Sequence, residues 1–446
     1  MEMFLGFLVL LCCLIVGVRH GGIGLAVISG IGLVVYVFVF GYKPGTPPIA
    51  VMLTILAVVT CAGFLQTSGG LTVMLQYAEK FLRNNPKHIT IFAPLTTWFL
   101  TVLCGTGHVV YTLLPIIYDI AIKQNIRPER PMAVSSVASQ MGICASPVSV
   151  AIVSIVSFMS TAGYNYTLAQ LLAVSIPATG IGVLCAALWS YRRGKDLDKD
   201  ERFQEFIKDP ANRDYVYGES ESLQGKQLPS SFYHAMYIFF IGIAVIAILG
   251  NFPDLVPHFP NAKGEMKAIS GTDLIQMIML VVAAVILFVC KVKAKDVGNS
   301  QVFKSGIVAL VSVYGVAWMA GTFFNAHMAF LKDFLGNAVA EYPWAFAIIA
   351  FLTSKLVNSQ AAAIAIVFPM ALSVGMNPVI IMSFISACYG YFFLPTYPSD
   401  LACIGFDRSG TTRIGKYILN HSFMIPGLIG VFSGCCVGFV MAHIVL

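Results

Sequence analysis

The chain has 446 residues, of which 58% are apolar and only 11% are charged, with a mean hydropathy of +0.82. Soluble domains carry about 25% charge, so this composition excludes a soluble globular chain and identifies a polytopic membrane protein. The net charge of +6 is spread along the loops, which excludes a concentrated nucleic-acid-binding face.

The N-terminal run MEMFLGFLVLLCCLIVGV contains Glu2 and no basic leader, so it reads as a first membrane helix and not as a cleaved signal peptide. Hydropathy predicts helices near 3–18, 22–40 and 48–68, then an amphipathic piece around 70–84. The apolar run 89–122 is too long for one span of about 20 residues and too short for two with a turn. It holds Pro94, the polar break CGTGH at 104–108 and Pro115. It therefore predicts a re-entrant hairpin, whose tip backbone must be buried or line a watery cavity. Segment 132–160 predicts a span broken at 140–147, with Ser146 and Pro147 as N-cap and first residue of a half-helix. A helix at 167–190 follows. Residues 191–230 hold 17 of the 48 charged residues and predict a solvated linker with room for one short helix and no separate domain.

Further helices are predicted near 232–250, 272–290 and 303–322, with a short amphipathic piece at 324–337. A second hairpin covers 342–376, with its tip at Asn358–Gln360. A second broken span covers 379–406, interrupted at 394–400, and the last helix runs over about 417–444. The eleven cysteines fall in or beside apolar runs without a CxxC pair or a histidine cluster. They read as small buried hydrophobes, with no disulfide, metal or other cofactor expected.

The two halves match in spacing. Pro94, the first break, Pro128 and Pro147 parallel Pro343, the second break, Pro378 and Pro398. Residues 1–190 and 231–446 thus predict an all-α polytopic membrane protein of two repeats, each with five transmembrane helices and one re-entrant hairpin. An odd number of crossings makes the repeats inverted, with broken helices at the midplane, as in secondary transporters. With both termini outside, the inner loops hold 22 of the 27 Lys and Arg residues and the outer loops four; basic residues favour the cytoplasmic side.

One charge lies deep in an apolar run: Lys355, in TSKLVNSQAAAI at 353–364. An ionisable residue inside a membrane segment marks a transport or ligand site by default. Half-helix N-termini each present free N–H groups and roughly half an elementary charge. Two such ends plus Lys355 total about +2, enough to balance a small dianion. The candidate binding residues are Thr106, Gly107 and His108; Ser146, Pro147 and Ser149; Lys355, Asn358, Ser359 and Gln360; and Thr396 and Ser399. Asp400 reads either as a coupling residue or partner of Lys355, or as a helix-capping carboxylate. His108 reads as a titratable group or as a neutral hydrogen-bonded histidine, and the Gly-Thr-Gly break as a site element or a close-packing device. The sequence lacks HExxH, GxSxG and paired intramembrane aspartates, which argues against an intramembrane hydrolase. A cation–proton antiporter is the competing transporter reading.

The motifs GTGHVVYTLLPIIYD (105–119), NIRPERPM (125–132), SQMGICASPVS (139–149), KLVNSQAAA (355–363), LPTYPSD (394–400) and FDRSGTTRIGKY (406–417), with RGKDLDKDE in the linker, resemble the anaerobic C4-dicarboxylate transporters of the Dcu family along the whole chain. Lysine in KLVNSQ and aspartate in TYPSD resemble the DcuB-like branch, since DcuA-like proteins lack both charges. The resemblance implies fumarate, malate or aspartate exchanged for succinate across the bacterial inner membrane during fumarate respiration. It implies the ion-transporter superfamily fold with paired hairpins. It also links Lys355, Thr396 and Asp400 with control of a partner sensor histidine kinase. A homo-oligomer is compatible with this reading.

Overall fold

The computed structural model describes residues 2–218, 225–260, 265–330, 342–395, 397–415 and 420–446. Most of them are helical. Eight helical segments are long and apolar enough to cross a membrane, and four shorter apolar helices accompany them among the described residues.

The first half contains α1 (Glu2–Arg19), α2 (Gly21–Val34, prolonged by a π-turn to Val39), α3 (Ile49–Thr67) and the amphipathic α4 (Gly70–Asn84). A helical hairpin follows, α5 (Ile89–Cys104) and α6 (Val110–Lys123). The interrupted pair α7 (Glu129–Met141) and α8 (Val150–Thr161) comes next, then α9 (Leu168–Ser190). The start of α9 is fixed by a capping box in which Thr167 and Gln170 satisfy each other's free N–H groups.

The linker is more ordered than its charge suggests. It forms two short helices, α10 (Glu201–Phe206) and α11 (Pro210–Tyr217), each opened by an aspartate N-cap, Asp200 and Asp209. Leu197, Phe203 and Val216 are buried beneath the membrane helices. The charges are tied down by pairs: Arg127 with Glu129 and Asp200, Arg130 with Asp196, and Arg193 with Glu129. Most of its side chains are exposed, as the sequence reading expects, but it forms two short helices where one was expected, and Asp196 and Asp200 meet arginines of the NIRPERP turn, which are distant in sequence.

The second half contains α12 (Ser230–Asn251), a small β-hairpin, β1 (His258–Pro260) with β2 (Met266–Ala268), α13 (Gly271–Val289), α14 (Ala294–Val297) and α15 (Gln301–Ala326). The second hairpin is α16 (Ala345–Val357) and α17 (Gln360–Ser373). The second interrupted segment runs from α18 (Pro378–Ser383) through two short 3₁₀ turns to α19 (Pro398–Phe406), and α20 (Met424–Val445) closes the chain. The amphipathic piece expected at 324–337 lies largely outside the described residues. The last helix starts seven residues later than expected, because His421 pairs with Ile414 and the Ser422 N–H donates to the Arg413 carbonyl at 3.0 Å; before them, the Asp407 carboxylate accepts from the Thr411 hydroxyl at 2.8 Å and the Thr412 N–H at 2.5 Å.

Small residues let the long helices close on one another. A Cβ on Gly182 of α9 would stand 2.5 Å from the Gly430 carbonyl oxygen of α20. Gly434 and Gly438 continue that seam against α18 and its following turn. This is how membrane helices associate when no hydrophobic effect drives them together. The packing holds both interrupted segments at the centre of the bundle, where α7 is buried along its whole length.

Candidate functional site

Each interruption leaves backbone groups without intrahelical partners, and the sequence supplies local caps for them. In the first hairpin α5 ends on Gly105 with φ +73°, a conformation glycine adopts without strain. Thr106 then accepts from the His108 N–H at 3.3 Å and starts the second arm. In the second hairpin α16 ends on Asn358, also left-handed at φ +49°, and the Ser359 side chain accepts from the Ala362 N–H at 3.3 Å. The two hairpin tips are built alike: a left-handed residue, then a hydroxyl N-cap.

The first interrupted segment differs from its sequence reading. Ser146 is not the cap. Its carbonyl accepts from the Ser149 N–H at 3.2 Å, closing a turn that contains Pro147. Ser149 caps α8 instead, accepting from the Ile152 N–H at 3.2 Å. Pro147 therefore belongs to the turn before the helix and not to its first position.

The tips and interruptions surround a cavity of about 140 Å³. Thr106, Gly107 and His108 from the first tip line it, with Ser359 and Gln360 from the second. Gln140, Tyr391, Tyr397 and Ser305 complete its polar wall. No Asp, Glu, Lys or Arg is among the described residues lining it. The His108 ring stacks on Tyr111, and its Nε2 lies 2.9 Å from the Ser305 hydroxyl. Gly107 is needed for a close approach: a Cβ there would meet Gln140 Nε2 at 2.5 Å and the Ser139 carbonyl oxygen at 2.9 Å.

Three groups of candidate residues stand around this cavity. Ser146, Pro147 and Ser149 are packed behind it as the turn and cap of α8. Lys355 and Asn358 lie on the far flank of the second tip. The Lys355 ammonium donates to Asn358 Oδ1 at 3.1 Å, to the Tyr391 carbonyl at 3.3 Å and to the Leu394 carbonyl at 3.2 Å. Ser399 and Asp400 occupy the first turn of α19, where Ser136 of α7 donates to Asp400 Oδ1 at 2.7 Å. Ser136 and Ser399 hydroxyls are 3.0 Å apart. Asp400 Oδ2 is buried with no hydrogen-bond partner among the described residues, and no direct ion pair joins Asp400 to Lys355. Thr396 lies outside the described residues.

Gln140 is the residue that sequence reasoning passed over. Its backbone carbonyl accepts from Gln360 Nε2 at 2.8 Å, and its side-chain Oε1 accepts from the Tyr391 hydroxyl at 2.7 Å. It thus binds the second hairpin and the second interrupted segment to the first. A lone Gln in SQMGICASP carries no signal for this, since its partners are more than 200 residues away. The chemistry of the whole arrangement is that of an anion pocket: N–H-rich helix starts, hydroxyls and amides, and no fixed negative charge on the wall.

Residues 2–446 match the family described as "Anaerobic c4-dicarboxylate membrane transporter". The chain is 55% identical to the anaerobic C4-dicarboxylate transporter DcuB of Escherichia coli O6:H1, across 98% of this chain and 97% of that one. It is 36% identical to the C4-dicarboxylate transporter DcuA of Wolinella succinogenes, across 98% and 99%. Among solved structures, the YdaH transporter of Alcanivorax borkumensis is similar with a TM-score of 0.58 at 15% identity, covering 93% of this chain and 89% of that one. Neisseria gonorrhoeae MtrF is similar with a TM-score of 0.55 at 12% identity, covering 92% and 84%. At such identities these two speak for the fold alone.

The Gln140 hub makes a measurable prediction. Tyr391→Phe and Gln140→Leu each break the buried Tyr391–Gln140 bond, and each single change leaves one buried polar group unpaired, at a cost of about 1–3 kcal/mol. The double substitution removes both partners, so the two losses should fail to add. A double-mutant cycle on thermal unfolding in detergent should give a coupling on the order of 1 kcal/mol; strict additivity would show that the bond does not tie the segments together.

Proposed function

Because this chain belongs to the anaerobic C4-dicarboxylate membrane transporter family, in its DcuB-like branch, we propose that it works as a fumarate/succinate antiporter that also accepts malate and aspartate. The protein is a multi-pass membrane transporter of C4-dicarboxylates and not an enzyme. The observation that carries the finer reading is the cavity between the two hairpin tips, faced by capped helix starts and free of carboxylates. A dianion with a carboxylate at each end of a four-carbon chain suits a pocket with a helix start on each side. Counterflow in proteoliposomes tests it: labelled succinate outside should accumulate when fumarate, malate or aspartate is loaded inside. No accumulation with any of the three would overturn antiport.

In this proposal Thr106, Gly107, His108, Ser359 and Gln360 meet the substrate directly. Lys355 acts from behind, holding the second tip in register and adding its field. Ser146, Pro147, Ser149, Asn358 and Ser399 shape the pocket from its surrounding turns, and Thr396 is kept as a proposed binding residue from the sequence alone. The competing cation–proton antiporter reading gains nothing from a cavity wall without acids. A sensor kinase partner and self-association rest on the resemblance, and copurification from native membranes tests both.

The proposed orientation follows from the basic residues. The bacterial inner membrane would hold both termini on the outer side, with the two halves as inverted repeats. A single cysteine replacing exposed Tyr164 should then react with an impermeant thiol reagent in whole cells, and one replacing exposed Tyr215 should not. The reverse pattern would overturn the orientation.

Lys355→Gln should leave a folded protein whose apparent affinity for succinate falls by about tenfold, or ~1.4 kcal/mol, because the site loses the field of a nearby positive charge. Affinity measured by substrate-dependent uptake should recover only in part with Lys355→Arg, because a planar fork does not replace a point donor shared among three oxygens. Unchanged affinity in well-expressed Lys355→Gln would remove Lys355 from the site.

Asp400 is the candidate for proton coupling, since one oxygen is held by Ser136 and the other is buried with no hydrogen-bond partner among the described residues. Asp400→Asn keeps an oxygen for Ser136 and removes the titration. Proton-driven uptake should disappear while fumarate/succinate exchange continues. Survival of both activities would leave Asp400 as a helix cap, and loss of both would make it structural.

A further inference from the structure

A second cavity, about 770 Å³ in volume, opens on the basic-rich face of the bundle, between the start of α5 and the end of α9. Its lower wall is apolar, from Ile91 and Leu188. Its upper wall is Trp189, Tyr191, His88 and two arginines, Arg192 and Arg193. This order, apolar below and aromatic with basic above, is that of a membrane–water boundary.

The two arginines differ in what they can offer. Arg193 is committed: it pairs with Glu129 at 3.0 Å, donates to the Ser422 carbonyl, and lies 5.4 Å above the Trp189 ring. It forms a fixed wall. Arg192 is exposed and has no ion-pair partner among the described residues. His88, the residue before α5, makes no side-chain cap bond and sets its ring edge-on against Phe92, and the helix start beside it favours an anion. Leu188, Trp189 and Tyr191 are themselves exposed large apolar groups, which a hydrocarbon chain would cover and a soluble anion would not.

We propose that this cavity binds the headgroup of an anionic phospholipid, with Arg192 and His88 holding the phosphate and an acyl chain running down Leu188 and Ile91. The volume lies in the range of small-molecule pockets, about 300–1,000 Å³, and basic pockets between membrane helices on the basic side suit such headgroups. The bound lipid bridges α9 to the first arm of the hairpin that carries Thr106. It thereby secures the hairpin from its outer end. This inference needs neither the substrate assignment nor the orientation proposed above.

The test reads Trp189 directly. The purified transporter is placed in phosphatidylcholine bilayers containing a minor fraction of brominated phosphatidylglycerol, or the same fraction of brominated phosphatidylcholine. The Trp189 signal is the difference between the native chain and Trp189→Phe. The brominated anionic lipid should quench it more strongly, with an enrichment of roughly fivefold for a basic residue near the surface. Arg192→Gln combined with His88→Gln should abolish the excess, while Lys195→Gln, on the exposed linker, should leave it intact. Soluble glycerol phosphate in the buffer should not compete. Equal quenching by the two lipids, an excess that survives the double substitution, or displacement by glycerol phosphate would each overturn the proposal.

Discussion

A carbonyl or N–H released by a broken helix inside a membrane must find a partner within the protein, because lipid offers none. Everything at the centre of this transporter follows from that requirement. Two hairpins and two interrupted segments release backbone groups at one place. Each set is satisfied by another: Lys355 donates to the carbonyls of Tyr391 and Leu394, Gln360 to that of Gln140, and the Ser354 hydroxyl receives the Gly390 N–H at 2.6 Å. The second hairpin is thus hydrogen-bonded to both interrupted segments. This is the physical reason the cavity forms where they meet.

The same bonds give Lys355 two roles that cannot be separated in the resting structure. A lysine that ties three oxygens together is structural, and it also places a positive charge beside the second tip. Helix starts at Thr106 and Ser359 add further positive potential from the cavity side. The wall itself needs no arginine or lysine to favour a dianion. In the function proposed above, a pocket of this kind would bind through dipoles fixed by the fold. A direct lysine–carboxylate pair would hold the substrate more tightly and make release slower.

How much of this was legible in the sequence depends on the range over which each signal acts. The hairpin tips were legible because Gly, Thr, Asn and Ser within an apolar run conflict with a continuous helix. Placing the cap at Ser146 failed by three residues, because Ser-Pro looks like a helix start whether or not a turn intervenes. The turn is closed by the Ser149 N–H, and only coordinates show that. The pairing within the linker was hidden for a different reason. Its acids look solvated in isolation, while Asp196 and Asp200 meet Arg130 and Arg127 some 66 and 73 positions away in the chain. Gln140 and Ser136 were invisible for the same cause, as their partners Tyr391 and Asp400 lie in the other half.

Those long-range pairs also show how the halves are joined beyond the cavity. Glu129 opens α7, and its carboxylate accepts from the Ser422 hydroxyl at 2.7 Å while its N–H donates to Thr411 at 3.1 Å. Arg193, at the end of α9, reaches the same Glu129 and the Ser422 carbonyl. Arg408 meets Asp119 of α6 and the ring of Tyr118. The basic face is therefore latched by residues of the first hairpin, the first interrupted segment and the loop after the second. Glu129 and Arg130 are largely buried, so breaking one partner of this set exposes the cost of an uncompensated charge. A latch of buried ions favours an all-or-none opening over gradual loosening, since each pair is held in place by its neighbours. Asp119 of the first hairpin is bound to Arg408, and Glu129 of α7 to Thr411 and Ser422, so two separate elements of the first half are bonded to residues that follow α19.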